Sequence, residues 1–229
     1  MALLELNKVK KIYKQGKIEV PALQGIDLTV EPGEFTTIFG PSGSGKTTLL
    51  NMIGCLDTPS EGEVKLNGDV VSKLSQTKLA MVRRYNIGFV FQAYNLIPVL
   101  TAYENVEFAV RLIHHLKEEE MKEKVLNILE AVGLKGLETR RPNELSGGEK
   151  QRVAVARALV KEPKIVLADE PTANLDSKTG ADVIKIMVKM NQKLGTTFIF
   201  STHDPQIMKY AKRLINLKDG MISADERRE

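Results

Sequence analysis

The feature that most constrains this chain is the octapeptide GPSGSGKT, Gly40 to Thr47, set between the apolar runs FTTIF and KTTLLNMIG. It satisfies the pattern G-x-x-x-x-G-K-[ST] in full. Glycines let such a loop curl until successive backbone N–H groups face one point, and a helix opening there adds its positive end. Both properties select phosphate. Lys46 is expected to reach the β- and γ-phosphates of a nucleotide, and Thr47 to offer its hydroxyl to Mg²⁺. The expected cradle comprises Gly40, Pro41, Ser42, Gly43, Ser44, Gly45, Lys46, Thr47 and Thr48. A strand leading in and a helix leading out imply an α/β fold around a P-loop.

A nucleotide site also needs a carboxylate facing the P-loop to complete the metal shell. KIVLADEP provides one, because Asp169 closes a run of apolar residues, at the strand end where ligands gather in open α/β sheets. Asp169 is the expected magnesium partner. Glu170 follows at once, projects differently, and is left free to act on water.

Other β-rich runs are predicted at 3–9, 26–30, 34–39, 63–67, 87–91, 164–169, 196–202 and 213–217. Several alternate little and are rich in Val, Ile and Phe, as strands covered on both faces should be. EPGE at 31–34, NGD at 67–69 and KDG at 218–220 read as turns. In 117–132, Met121, Val125, Ile128, Leu129 and Val132 recur at helical spacing. A further helix should open after Ser146.

Composition sets the class. Hydrophobic residues are 42% and charged residues 27%, the balance of a globular domain with a sizeable core. No stretch approaches the roughly 18 uninterrupted apolar residues of a membrane helix. The nearest candidate, 99–116, carries Glu104, Glu107 and Arg111. The N-terminus places its apolar run before its lysines, the reverse of a secretory signal, so a cytoplasmic chain is expected. The net charge of +4 is too small and too dispersed to argue for a nucleic-acid partner. A single cysteine, Cys55, excludes an internal disulfide, and its apolar surroundings suit a buried thiol.

The segment LSGGEKQRVAVARAL, Leu145 to Leu159, holds a second anion-site signal. Ser146 with Glu149 forms a capping box that opens a helix. Capping alone requires neither Gly147 nor Gly148; two glycines suit a helix N-terminus that approaches a phosphate closely.

P-loop, LSGG segment and DE-terminated strand, in this order, resemble the ATP-binding-cassette (ABC) family over essentially the whole chain. The resemblance implies a P-loop NTPase core with an antiparallel β subdomain and an inserted α-helical subdomain, with core 1–92 and 161–229 and helical part 93–160. It implies that Gln92 senses Mg²⁺ and the γ-phosphate, that Tyr13 stacks on adenine, and that His203 is the switch histidine. Ala173 to Asp176, ANLD, is similar to the family's D-loop, although SALD is commoner there. The signature ends in Glu149, where glutamine is usual. His114 and His115 match nothing in the pattern and are expected at the surface. The family's chemistry is ATP hydrolysis, with Glu170 activating water and Lys46, Gln92 and His203 assisting. Two copies would pair head to tail, so that Ser146, Gly147 and Gly148 complete the other copy's site. Segments 52–64 and 83–107 resemble the subclass serving lipoprotein release, macrolide-type efflux and the cell-division complex. That places the chain on the inner face of the membrane, held by a permease docking near 93–104. The alternatives are a regulatory subunit of a cell-division-type complex and a soluble non-transport ATPase. The sequence names no cargo.

Overall fold

The structure, a computed structural model, describes residues 1–16, 18–113 and 116–228. His114 and His115, expected at the surface, lie outside the described residues.

The chain runs β1 (Leu4–Gln15), β2 (Ile18–Val30), β3 (Phe35–Phe39), α1 (Lys46–Ile53), β4 (Glu61–Leu66), β5 (Asp69–Val70), α2 (Gln76–Asn86) and β6 (Ile87–Phe91). Then come α3 (Ala102–Arg111), α4 (Glu118–Ala131), α5 (Gly147–Leu159), β7 (Ile165–Asp169), α6 (Ser177–Leu194), β8 (Thr197–Ser201), α7 (Pro205–Met208), β9 (Arg213–Lys218) and β10 (Met221–Arg227). Two sheets result. One is antiparallel, in the order β2-β1-β4-β5; the other has six strands, in the order β10-β9-β3-β8-β7-β6. In the second sheet all neighbours pair parallel except β10, which turns back antiparallel along β9.

The parallel strands are apolar on both faces because each face meets a different core. Val166 and Ala168 of β7, with Phe198 and Phe200 of β8, point to a cluster shared with α3, α4, α5 and α6. Ile165, Leu167 and Ile199 point the opposite way, to a cluster shared with α1 and the antiparallel sheet. This period-two division is why the strands read as near-continuous hydrophobic runs. Phe35 packs against both Phe198 and Phe200, with ring centres 5.5 and 5.1 Å apart. Burying each such side chain contributes about 1.5–3 kcal/mol. On α4, Met121, Val125 and Leu129 are buried as their spacing predicts, with Val132 just beyond the helix. Cys55 is buried too, and burial pushes its thiol up to about 11.

Two strand readings extend beyond their sequence signals. β1 and β2 continue into a long hairpin whose far half is largely exposed on β2, so no hydrophobic alternation marks it. β10 is an edge strand of mostly exposed residues. It is held by Arg213, whose Nε and Nη2 donate to the two Asp225 oxygens at 2.8 and 2.6 Å, while Nη1 donates to Glu34 at 2.8 Å. The Arg213 guanidinium holds the Asp225 carboxyl below the usual carboxylate range.

The consequence for function lies in the register. Ile38, Ser201, Asp169 and Phe91 form one row across the neighbouring strands β3, β8, β7 and β6. Four chain segments therefore leave the same edge of the sheet side by side: the P-loop, the segment to His203, Glu170 and Gln92.

Candidate nucleotide site

The P-loop is shaped by backbone that only glycine tolerates. Gly40 has φ +155°, and a Cβ there would lie 2.0 Å from the Leu217 carbonyl oxygen. Gly45 caps α1 without a side chain, and no acidic residue occupies the first turn. The opening N–H groups of α1 therefore have neither a side-chain acceptor nor a carboxylate competing for the site. That arrangement suits an anion. Ser44 adds a buried hydroxyl with no protein partner. Lys46 folds over the loop, its Nζ donating to the carbonyls of Gly40 at 2.8 Å and Pro41 at 3.0 Å.

A hydrogen-bonded relay runs from α1 across the strand ends. Thr47 Oγ1 donates to Asp169, at 3.0 Å from Oδ2 and 3.3 Å from Oδ1. Ser201 Oγ donates to Asp169 Oδ1 at 2.6 Å and accepts from the Glu170 N–H at 3.0 Å. Glu170 has φ +46°, a left-handed conformation costly for a residue with a Cβ. That turn lets consecutive acids face different tasks: Asp169 meets Thr47, while Glu170 Oε1 lies 3.0 Å from His203 Nδ1. Among the described residues, no cluster of three or more His, Cys, Asp or Glu could hold a metal by itself. One hydroxyl and one carboxylate are hard oxygen donors, which fit a Mg²⁺ ion sharing its shell with nucleotide phosphates.

Gln92 is exposed beside this relay and meets Asn174: its Nε2 lies 3.4 Å from Asn174 Oδ1, and its carbonyl accepts from Asn174 Nδ2 at 3.0 Å. Tyr13 donates its hydroxyl to Asp57 at 3.1 Å and lies near Thr48 on α1, with Lys11 Nζ 5.0 Å from its ring centre. Burial raises the Tyr13 pKa. The ring is thus set against the start of the P-loop helix, from the other sheet. Asp176 is the N-cap of α6, accepting from the N–H groups of Lys178 and Thr179 at 3.1 and 3.0 Å.

The LSGG segment sits elsewhere. Ser146 caps α5 as its spacing with Glu149 predicts, and its N–H and hydroxyl both donate to the Glu149 carboxylate, at 2.7 and 2.8 Å. No hydrogen bond among the described residues joins Ser146 to the P-loop. The two glycines also have a reason inside this chain. A Cβ at Gly148 would lie 2.4 Å from Thr179 Cγ2, and one at Gly147 would lie 3.0 Å from Leu175 Cδ2. Both glycines thus let α5 pack closely on the segment before and into α6, a contact that involves no phosphate.

Several residues of the site carried no signal of their own in the sequence. Ser201 binds the Asp169 carboxylate and the backbone N–H of Glu170, although it stands two residues before His203 in a run read only as a strand. Arg157, on α5, donates from Nη2 to the Tyr94 carbonyl at 2.7 Å and from Nη1 to that of Asn95. Tyr94 and Asn95 are both left-handed, at φ +62° and +49°, so Arg157 clamps the bend directly after Gln92.

Comparison with known proteins gives a concordant result. Residues 23–173 match the family model described as ABC transporter. The chain is 44% identical over 228 residues to the uncharacterized ABC transporter ATP-binding protein MJ0796 of Methanocaldococcus jannaschii, covering 98% of this chain and 97% of that one. It is 46% identical over 225 residues to the macrolide export ATP-binding/permease protein MacB of Bdellovibrio bacteriovorus, covering 98% of this chain and 34% of that protein. The solved dimeric, post-hydrolysis state of the cassette MJ0796, bound to ADP and Pi, superposes with a TM-score of 0.91 over 99% of each chain.

Proposed function

The chain belongs to the ABC transporter family as its ATP-binding and ATP-hydrolysing subunit, and we propose that two copies close head to tail around ATP to drive an integral membrane permease. The observation that carries this reading is the relay Thr47–Asp169–Ser201–Glu170, with His203 at its end, in line with the P-loop.

In the reaction, water attacks the γ-phosphorus in line, and the bond to the ADP oxygen breaks as the new P–O bond forms. Lys46 exchanges its two carbonyl partners for β- and γ-phosphate oxygens. Glu170 orients the water and takes up its proton, and His203 holds Glu170 and contacts the γ-phosphate. Thr47, Asp169 and Gln92 are the residues that would hold Mg²⁺, which when bound neutralises charge on the phosphates. The protein's contribution is positioning and fixed electrostatics rather than covalent chemistry. Ser146, Gly147 and Gly148 serve the partner copy's nucleotide, with Asp176 at the junction. The dimeric, post-hydrolysis state of the relative MJ0796, bound to ADP and Pi, supports the pairing of two copies.

Tyr13 stacks on the adenine in this reading. Tyr13→Ala is expected to weaken ATP binding by about 1–3 kcal/mol, the range of base–aromatic stacking. Tyr13→Phe keeps the ring and loses only the bond to Asp57, so calorimetry should return nearly the original affinity. Equal losses for the two variants would exclude stacking.

No helix among the described residues is long and apolar enough to cross a membrane; in this proposal a permease holds the chain at the inner face. The helical part, 93–160, carries the docking surface in this proposal. A groove of about 430 Å³ opens beside it, lined by Arg84, Phe89, Phe91, Ala109, Leu112 and Arg157 among others, with no acidic residue. Its stacked rings and cations suit a short amphipathic permease segment bearing carboxylates. Within 93–104, Leu96 and Tyr103 pack on the helical core, whereas Val99 is 73% exposed. Asn105 holds the loop beneath it, accepting from the Ile97 N–H and donating to three carbonyls. Val99→Asp should therefore abolish permease-stimulated turnover in the reconstituted complex while the isolated chain keeps its basal ATPase. Full stimulation of the variant would exclude this loop as the docking site.

A further inference from the structure

We infer that Asn174 is a positioning residue that sets which end of the Gln92 side-chain amide is presented to the metal; this rests on the reading of Gln92 as a metal sensor. An amide has one oxygen able to approach a cation and one NH₂ that would repel it, and the two exchange by a simple flip. Something must choose between them. Asn174 does so in two linked steps. Its Nδ2 donates to the Gln92 backbone carbonyl at 3.0 Å, and because a carbonyl can only accept, this fixes the orientation of the Asn174 amide. Its Oδ1 is then left facing Gln92 Nε2, at 3.4 Å, and accepts from it. With Nε2 engaged, Oε1 is the atom left for the metal.

The backbone around Asn174 supports such a role. The Ala173 N–H donates to the Glu170 carbonyl at 3.2 Å and the Leu175 N–H to the Thr172 carbonyl at 3.0 Å, so the loop is pinned on either side of it. Asn174 is exposed and makes no contribution to either apolar core, so its side chain serves the loop and not the fold. The pair joins positions 82 residues apart, and an alanine at 174 could form neither bond. This is the relation that outer-sphere partners hold to metal ligands elsewhere, orienting the donor without touching the ion.

The test is a cycle of Asn174→Ala, Gln92→Ala and the double variant in the full chain. Binding of Mn²⁺ is measured by EPR of the free ion in the presence of the non-hydrolysable analogue AMP-PNP, so that no turnover is needed. Asn174→Ala should weaken Mn²⁺ by about tenfold, the low end for an outer-sphere partner. The double variant should bind Mn²⁺ no more weakly than Gln92→Ala alone, because the two residues act as one unit. AMP-PNP affinity in EDTA should stay unchanged for Asn174→Ala, which a merely structural defect in the loop would not allow. Unaltered Mn²⁺ binding in Asn174→Ala, or additive losses in the double variant, would overturn the positioning role while leaving Gln92 in place. Unaltered Mn²⁺ binding in Gln92→Ala would overturn the metal reading of Gln92 itself, and the role of Asn174 with it.

Discussion

Glu170→Gln is expected to lower the turnover of ATP by about 10²–10⁴-fold, the contribution of a positioned general base, while ATP still binds. The substitution preserves size and hydrogen bonding. Glutamine at 170 can still meet His203, 3.0 Å away, and its backbone N–H still donates to Ser201. What disappears is the basic carboxylate. The left-handed backbone at 170 is no obstacle, since glutamine and glutamate meet it with the same Cβ. Removing a negative charge beside the γ-phosphate should also ease closure of the pair. On gel filtration with ATP and Mg²⁺ the original chain should run as a monomer or exchange rapidly, whereas the variant should elute as a stable dimer and return to monomer with ADP. Adding Ser146→Arg should prevent that dimer, because a bulky cation at the start of α5 obstructs approach to the partner's nucleotide. Turnover of the Gln variant at the original rate would remove Glu170 from the role of base. A Gln variant that bound ATP tightly yet stayed monomeric at high concentration would remove the shared-site arrangement. The two glycines after Ser146 would then rest on their packing against Leu175 and Thr179 alone.

Lys46→Ala should weaken ATP by about two orders of magnitude, as expected for losing a charge-assisted bond of about 3 kcal/mol. The reason is visible in its surroundings. Lys46 Nζ bonds only the carbonyls of Gly40 and Pro41, both within the loop, and no carboxylate pairs with it among the described residues. Its charge is therefore free to meet phosphate without breaking an ion pair. Nothing in the apolar cores depends on it, so the melting temperature without nucleotide should change little. Calorimetric titration with ATP separates the two effects. Unchanged affinity would exclude the P-loop as the phosphate cradle.

How far the site could be read in advance varied with the kind of interaction involved. Local rules carried the P-loop, the Ser146–Glu149 cap and the stripe of Met121, Val125 and Leu129, because each depends on residues within one or two turns of each other. Strand ends at Phe39, Phe91, Asp169 and Ser201 were legible for the same reason: burial on both faces leaves a long apolar run that stops abruptly. β10, the far half of the β1–β2 hairpin and α2 were not. The hairpin and β10 are held by pairing with a neighbour, and α2 buries only Leu79, so none shows a periodic apolar face.

The sequence by itself determined that this chain has a P-loop, an acid-terminated strand and a capped LSGG helix, since every one of those signals is written in contiguous residues. Only the tertiary structure decided how they combine. Parallel pairing in register brings Ile38, Ser201, Asp169 and Phe91 into one row. The left-handed turn at Glu170 then separates two adjacent carboxylates into different partnerships, one with Thr47 and one with His203. Ser201, Asn174 and Arg157 gained their parts through hydrogen bonds to residues 31 to 82 positions away. Bonds over such separations are fixed by the folded backbone, and no spacing along the chain encodes them.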